Sequence, residues 1–178
     1  MECILLGWPP DGPTLSLDHE RFAYAGKFVM SATGKAVARE DGTVGAVAFS
    51  ADRTDETCLR LRYVTVRDDR RGEGIGPRLL RFVSERAREH GYESVRIAVN
   101  NPFAYEACSR AGFAFTGQET GLAELVLDYR PEGTRSADRY RAGLDCYRER
   151  DLSAVETEFV ERKRGTDPPA VVADPGRS

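Results

Sequence analysis

The sequence predicts a mixed α/β domain, a central sheet with helices packed on it, and three observations carry that reading. Short β-like runs and helix-like stripes follow one another in the order β-β-β-α-β-α-β-β. Glu40-Asp41-Gly42 stands between two β-like runs, a strong hairpin signal. Arg71-Gly72-Glu73-Gly74-Ile75-Gly76 joins a strand-like run to a helix-like run, as at the start of a parallel crossover.

Taken in order, Cys3 to Gly7 is a short apolar first strand, and Pro9-Pro10-Asp11-Gly12-Pro13 is a loop. Asp18 to Met30 mixes aromatic, basic and small residues and shows no period. Lys35 to Arg39 and Thr43 to Ser50 form the hairpin, and Ala51 to Thr57 is a polar loop. Leu59 to Val66 is the next strand. A helix follows from Pro77 to His90, with Ile75, Leu79, Phe82, Val83 and Ala87 on one stripe. Pro77 fits only a first turn, which places the start of that helix at the glycines, and Gly91 is its stop. Ser94 to Val99 follows a strand-turn-helix unit and is expected to lie parallel to the earlier strand by a right-handed crossover. Asn101-Pro102 opens a second helix that ends near Ala111-Gly112; Phe113 to Thr116 and Leu122 to Leu127 are the last strands.

Residues 1–130 are thus expected to form the main domain. Pro131-Glu132-Gly133-Thr134 is a linker. Residues 131–164 form a C-terminal helical extension, a pair with Tyr140, Leu144 and Tyr147 on one face of its first helix. Ser153-Ala154-Val155-Glu156 is a capping box for the second. Such a pair packs back on the sheet or mediates a homodimer. Residues 165–178 are Pro/Gly-rich without period and read as a disordered tail.

Composition narrows the function class. A net charge of -3 argues against nucleic acid as the main partner. The chain has no run of 18 apolar residues, so no membrane span is expected. Four scattered cysteines, Cys3, Cys58, Cys108 and Cys146, with no C-x-x-C pair, point to free thiols in the cytoplasm and to no metal site. Histidine occurs only at positions 19 and 90, which leaves a histidine general base unsupported. Between Arg60 and Arg96, however, ten arginines stand against six acids.

That charge brackets the glycines. Gly72, Gly74 and Gly76 between a strand and a helix let backbone amides point at one anion. The helix N-terminus adds its positive dipole end, and Arg70, Arg71 and Arg78 add full charge. A phosphorylated cofactor is the first hypothesis. A P-loop is excluded because no lysine follows the glycines, and a dinucleotide fingerprint because Gly76 follows Gly74 at the wrong spacing.

A strand, then Arg71 to Gly76 in the pattern [Q/R]-x-x-G-x-[G/A], then a helix, resembles the acyl-CoA-binding motif of the GCN5-related N-acetyltransferases (GNAT). A second block, Asn101-Pro102-Phe103-Ala104-Tyr105-Glu106-Ala107-Cys108-Ser109-Arg110-Ala111-Gly112-Phe113, is similar to the family's N-x-x-A-x-x-x-Y-x-x-x-G-F. The resemblance spans roughly Lys35 to Asp128. It implies a mostly antiparallel sheet with one splayed parallel strand pair, and acetyl-CoA as co-substrate. It implies that amides around Arg71, Gly72, Glu73, Gly74, Ile75 and Gly76, with Arg78 beside them, hold the CoA pyrophosphate. Backbone groups along Val64, Thr65 and Val66 would bind the pantetheine arm and acetyl group, as an added strand would. The Val66 amide would donate to the thioester carbonyl and stabilise the oxyanion. Asn101 would contact the pantetheine.

The chain departs from the family at Cys108, where a tyrosine often protonates the leaving thiolate. Cys108 is a candidate general acid, since a free thiol has a pKa near that of the leaving group, about 8.5; the alternative is a small buried side chain with water as the acid. Tyr105 stands one turn earlier, about 4–5 Å along the axis, and is packing or a wall of the substrate pocket. Neither Glu106, expected to face solvent, nor Asp55, Glu56, Asp68 or Asp69 identifies a general base. The implied function is direct acetyl transfer from acetyl-CoA to a primary amine, on a small molecule or a protein N-terminus. The alternative is a non-catalytic acyl-CoA-binding regulatory module.

Overall fold

A computed structural model describes residues 1–132 and 135–177; Gly133 and Thr134 of the expected linker, and Ser178 of the expected tail, lie outside them. The chain forms two compact units, Met1–Arg96 with Ala173–Ser178, and Ile97–Val172.

In the first unit the strands are β1 (Glu2–Gly7), β2 (Gly34–Arg39), β3 (Thr43–Ala51) and β4 (Cys58–Val66), each antiparallel to its neighbour, in the order β1-β2-β3-β4-β5. Strand β5 (Ser94–Val99) starts in this unit. The helix α1 (Ile75–His90) connects β4 to β5, and this connection makes the one parallel pair. At the β2–β3 turn Asp41 and Gly42 both take positive φ, 50° and 106°, as a tight hairpin requires. The stripe read from the sequence is the buried face of α1: Leu79, Val83 and Ala87 are inaccessible. The helix begins two residues before Pro77 and ends on Gly91, whose amide reaches the Ala87 and Arg88 carbonyls.

A further core of Phe28, Val37, Ala46 and Ala48 is lined by Ile4, Leu6, Leu15, Leu17 and Tyr63. Phe28 belongs to a 3-10 turn, Ala25–Val29, inside the segment that showed no period. That turn is too short to leave a repeating pattern, and its anchor is a single aromatic.

The second unit continues from β5 with α2 (Pro102–Ala111), β6 (Phe113–Glu119), β7 (Leu125–Tyr129), α3 (Ala137–Arg148) and α4 (Ala154–Arg162), strand order β5-β7-β6. Strand β7 begins at Leu125 rather than Leu122, because Ala123 has φ 61° and Leu122 is exposed in the turn. The two C-terminal helices belong to this unit. Tyr105 donates from its hydroxyl to the Tyr140 carbonyl at 2.9 Å, and Arg139 donates to the Thr116 carbonyl at 2.7 Å. These bonds tie α3 to α2 and β6 within one unit.

The segment expected as a disordered tail forms neither helix nor strand, yet it is held. In the second unit the Val172 amide donates to the Arg110 carbonyl at 2.8 Å. In the first, Asp174 is buried and pairs with Arg86 on α1 at 2.9 Å. A partner 88 residues away leaves no local signature. Among the described residues no helix is long and apolar enough to cross a membrane.

Candidate functional site

The site is built first from β4. Register pairs Val47 with Val64, Ala46 with Thr65 and Gly45 with Val66, and the Arg67 amide donates to the Val44 carbonyl at 2.9 Å. Arg67 and Val44 are therefore a hydrogen-bonded pair. In an antiparallel ladder such pairs alternate with non-bonded ones, so Val66 and Val64 turn their amide and carbonyl groups away from β3. One step back the register breaks: Ala48 faces Tyr63 and Phe49 faces Leu61, which leaves Arg62 as the extra residue of a bulge. Thr65 lies between the two valines. Its hydroxyl is buried and, among the described residues, has no hydrogen-bond partner, an arrangement that costs about 1–3 kcal/mol.

The loop that follows closes on itself through ion pairs. Arg67 meets Asp69 at 2.6 Å, Arg71 meets Asp68 at 2.7 Å, and Arg70 meets Glu73 at 2.6 Å and Glu40 at 3.3 Å. The bond from Arg67 holds the Asp69 carboxyl below its ordinary range, and Arg70 does the same for Glu40. Arg70 thus fastens the loop to the β2–β3 hairpin, a role the sequence did not reveal because Glu40 lies 30 residues earlier. Arg78, exposed in the first turn of α1, makes no ion pair among the described residues.

The glycines shape the entrance to α1. Gly72 and Gly74 have φ of 83° and 78°, a region most L side chains avoid. Gly74 is the N-cap residue; no side chain caps the helix and no acid occupies its first turn. Around a side chain added at Gly72 there is open space within 4 Å, and one at Gly76 would meet only the Val66 side chain, at 3.7 Å. First-turn amides have no intrahelical partner, and Pro77 has no amide to offer. The result is an uncapped positive helix end with room before it, and it fits a phosphate group.

The second motif block lies in the other unit and is built differently. Asn101 caps α2, its side-chain oxygen accepting from the Ala104 amide at 2.8 Å. Tyr105 is buried to 1% exposure and packs against Gly143 of α3, where an added side-chain carbon would lie 2.2 Å from its hydroxyl oxygen. It is a core residue, and burial raises its pKa far above the ordinary tyrosine value. Cys108 is buried as well, and burial pushes its thiol up to about 12. Such a thiol is a weaker acid than an ordinary one, so proton donation from it to a thiolate runs uphill. Glu106 does not face solvent. It is buried, accepts from the Tyr140 hydroxyl at 2.6 Å and pairs with Lys163 at 3.1 Å. Tyr140 lies on α3 and Lys163 just past the end of α4, and the helical period of α2 alone gave no sign of them. Among the described residues no group of His, Cys, Asp or Glu is placed to hold a metal ion.

A glycine-shaped, uncapped helix start after a bulged strand is open to an anionic ligand. The sequence matches the Acetyltransferase (GNAT) family over residues 5–113. The chain belongs to that family. A search of curated proteins finds no match. Solved structures similar to it include an N-acetyltransferase from Staphylococcus aureus Mu50, at 17% identity over 56% of this chain and 68% of that one, TM-score 0.49. A nourseothricin acetyltransferase is 26% identical over 55% of this chain and 64% of its own, TM-score 0.48. A Salmonella typhimurium protein described as an acetyltransferase, solved with its cofactor acetyl-CoA, is 16% identical over 58% and 68%, TM-score 0.49.

Proposed function

We propose that this chain is an acetyl-CoA-dependent N-acetyltransferase that transfers the acetyl group directly to a primary amine. The observation that carries the reading is the uncapped start of α1 behind Gly72 and Gly74, in a chain that belongs to an acetyltransferase family. The amides from Gly72 to Gly76 hold the pyrophosphate, with Arg71 and Arg78 at its side. Backbone groups of Val64 and Val66, which turn away from β3, take the pantetheine arm as an added strand. Acetyl-CoA supplies the activated acyl group. The Val66 amide donates to the carbonyl oxygen as negative charge develops there, a contact of the oxyanion-hole kind. The amine nitrogen bonds to the carbonyl carbon as the C–S bond breaks; with Asp68 and Asp69 tied to Arg71 and Arg67, solvent takes the amine proton and protonates the leaving CoA thiolate.

The second reading, a regulatory module that holds acyl-CoA without turnover, is favoured by one observation. Cys108 is a buried, weakly acidic thiol at the position where the resemblance expects a tyrosine. Release of free CoA thiol from acetyl-CoA, followed with a panel of small amines and peptides with free N-termini, separates the two. Thiol release that depends on one class of amine is the expected result. Saturable acetyl-CoA binding with no release for any amine would leave the regulatory reading.

A further inference from the structure

The second unit contains a basic cleft that the acetyl-transfer reading does not use. It is an open cleft of about 430 Å³ bordered by Arg130, Arg135, Arg139, Ser136, Thr116 and Asp128. Two of its arginines are held by backbone carbonyls. Several arginines elsewhere lie against carboxylates, as Arg67, Arg70, Arg86, Arg148 and Arg164 do. Arg139 is anchored by the Thr116 carbonyl, and Arg135 by the Ser109 and Pro169 carbonyls. Neither forms an ion pair among the described residues. The carboxylate whose charge reaches Arg135 is Glu106, and that group is already taken by Tyr140 and Lys163.

Carbonyl anchoring has a definite consequence. A guanidinium carries five N–H donors in a rigid fork, and one or two of them suffice to fix its plane. The remaining donors and the whole positive charge stay available. Arg130, with an exposed side chain, adds a third cation at the rim, and Asp128, 3.9 Å from it, is the acid of the lining. The Thr116 hydroxyl is committed, donating to the Val126 carbonyl. Ser136 accepts from the Arg139 amide through its hydroxyl oxygen and keeps its O–H to donate. The cleft therefore offers three cations and a hydroxyl donor against one carboxylate, with two guanidiniums oriented in advance.

From this we infer a second binding site, on the second unit, for a compact dianion such as a phosphate monoester or a small dicarboxylate. Forked arginine recognition suits both chemistries.

The test is a titration of the full chain followed through the arginine Nε–Hε resonances of Arg135 and Arg139 by NMR. CoA is present in excess, so that any phosphate site at α1 is already filled; the arginine signals report on the cleft even if CoA fails to bind. The probes are glycerol 3-phosphate, succinate and neutral glycerol. Saturable shifts with either dianion and none with glycerol are expected, and the stronger dianion identifies the natural chemistry. Because Arg135 supports two carbonyls of the fold, the variants are the exposed ones, Arg130→Gln and Arg139→Gln, each expected to weaken binding about tenfold, the loss of one charge-assisted contact. The inference is overturned if neither dianion saturates, if glycerol shifts the same signals, or if both variants bind as tightly as the parent chain.

Discussion

The four α-helices among the described residues begin in two different ways. In the second unit α2, α3 and α4 each close their N-terminus with a side chain of their own: Asn101, Ser136 and Ser153, the last in a complete capping box with Glu156. In the first unit α1, the longest of them, begins on Gly74 with no side-chain cap and no acid in its first turn. A polar cap contributes about 1 kcal/mol. Forgoing it on a 16-residue helix keeps the first-turn amides available to an outside anion. The contrast teaches that helix ends in one chain can be assigned to stability or to ligand by asking what already occupies them.

The most direct way to break the contrast is to close the open end. Asp tolerates the left-handed conformation better than most residues, and its carboxylate favours a helix N-terminus. In Gly74→Asp we expect acetyl-CoA affinity, measured by calorimetry, to fall at least about 100-fold, while the left-handed backbone costs about 1–2 kcal/mol of thermal stability. A variant that binds as before would mean that α1 is open for no ligand.

The closed unit predicts stability effects instead. Glu106→Ala leaves Lys163 and the Tyr140 hydroxyl without their partner. We expect it to destabilise the protein by about 2 kcal/mol in urea denaturation, discounted because Lys163 is partly exposed. Glu106→Gln, which keeps an acceptor for Tyr140, should lose less.

Cys108 gives a pH test. Its folded pKa, about 12, lies above the ordinary 9.0, so above pH 9.0 the unfolded state loses a proton that the folded state keeps. The stability linked to this thiol is complete below pH 9.0 and is lost as pH rises toward about 12, at roughly 1.4 kcal/mol per pH unit. Melting temperature followed from pH 8 to 10.5 should fall less steeply in Cys108→Ala than in the parent chain. Identical slopes would place the thiol in contact with water.

The smallest effect is at the caps themselves. Ser136→Ala and Ser153→Ala should each cost about 1 kcal/mol of stability and leave acetyl-CoA affinity unchanged.

Features carried by neighbours in sequence were legible before the fold was known. Asp41-Gly42, the α1 stripe, Pro77, Gly91 and the Ser153–Glu156 box all act within one turn or one hairpin, so their spacing shows in the chain. The open glycines before α1 were legible for the same reason. What stayed hidden depends on distant partners: Arg70 on Glu40, Glu106 on Tyr140 and Lys163, Asp174 on Arg86. Glu106 was expected to face solvent because an isolated helix gives a carboxylate no reason to be buried; the reason arrives with the last two helices. The orientation of Val64 and Val66 likewise needed a register, which the alternation of β4 alone does not supply.

The central claim is that the open end of α1, and not a closed one, receives the pyrophosphate of acetyl-CoA. The most direct measurement is the change in backbone amide NMR shifts when acetyl-CoA is added. We expect saturable downfield shifts at Gly72, Gly74, Ile75 and Gly76, with the first-turn amides of α3 and α4 unmoved. Unmoved amides from Gly72 to Gly76 in a protein that binds acetyl-CoA would contradict it.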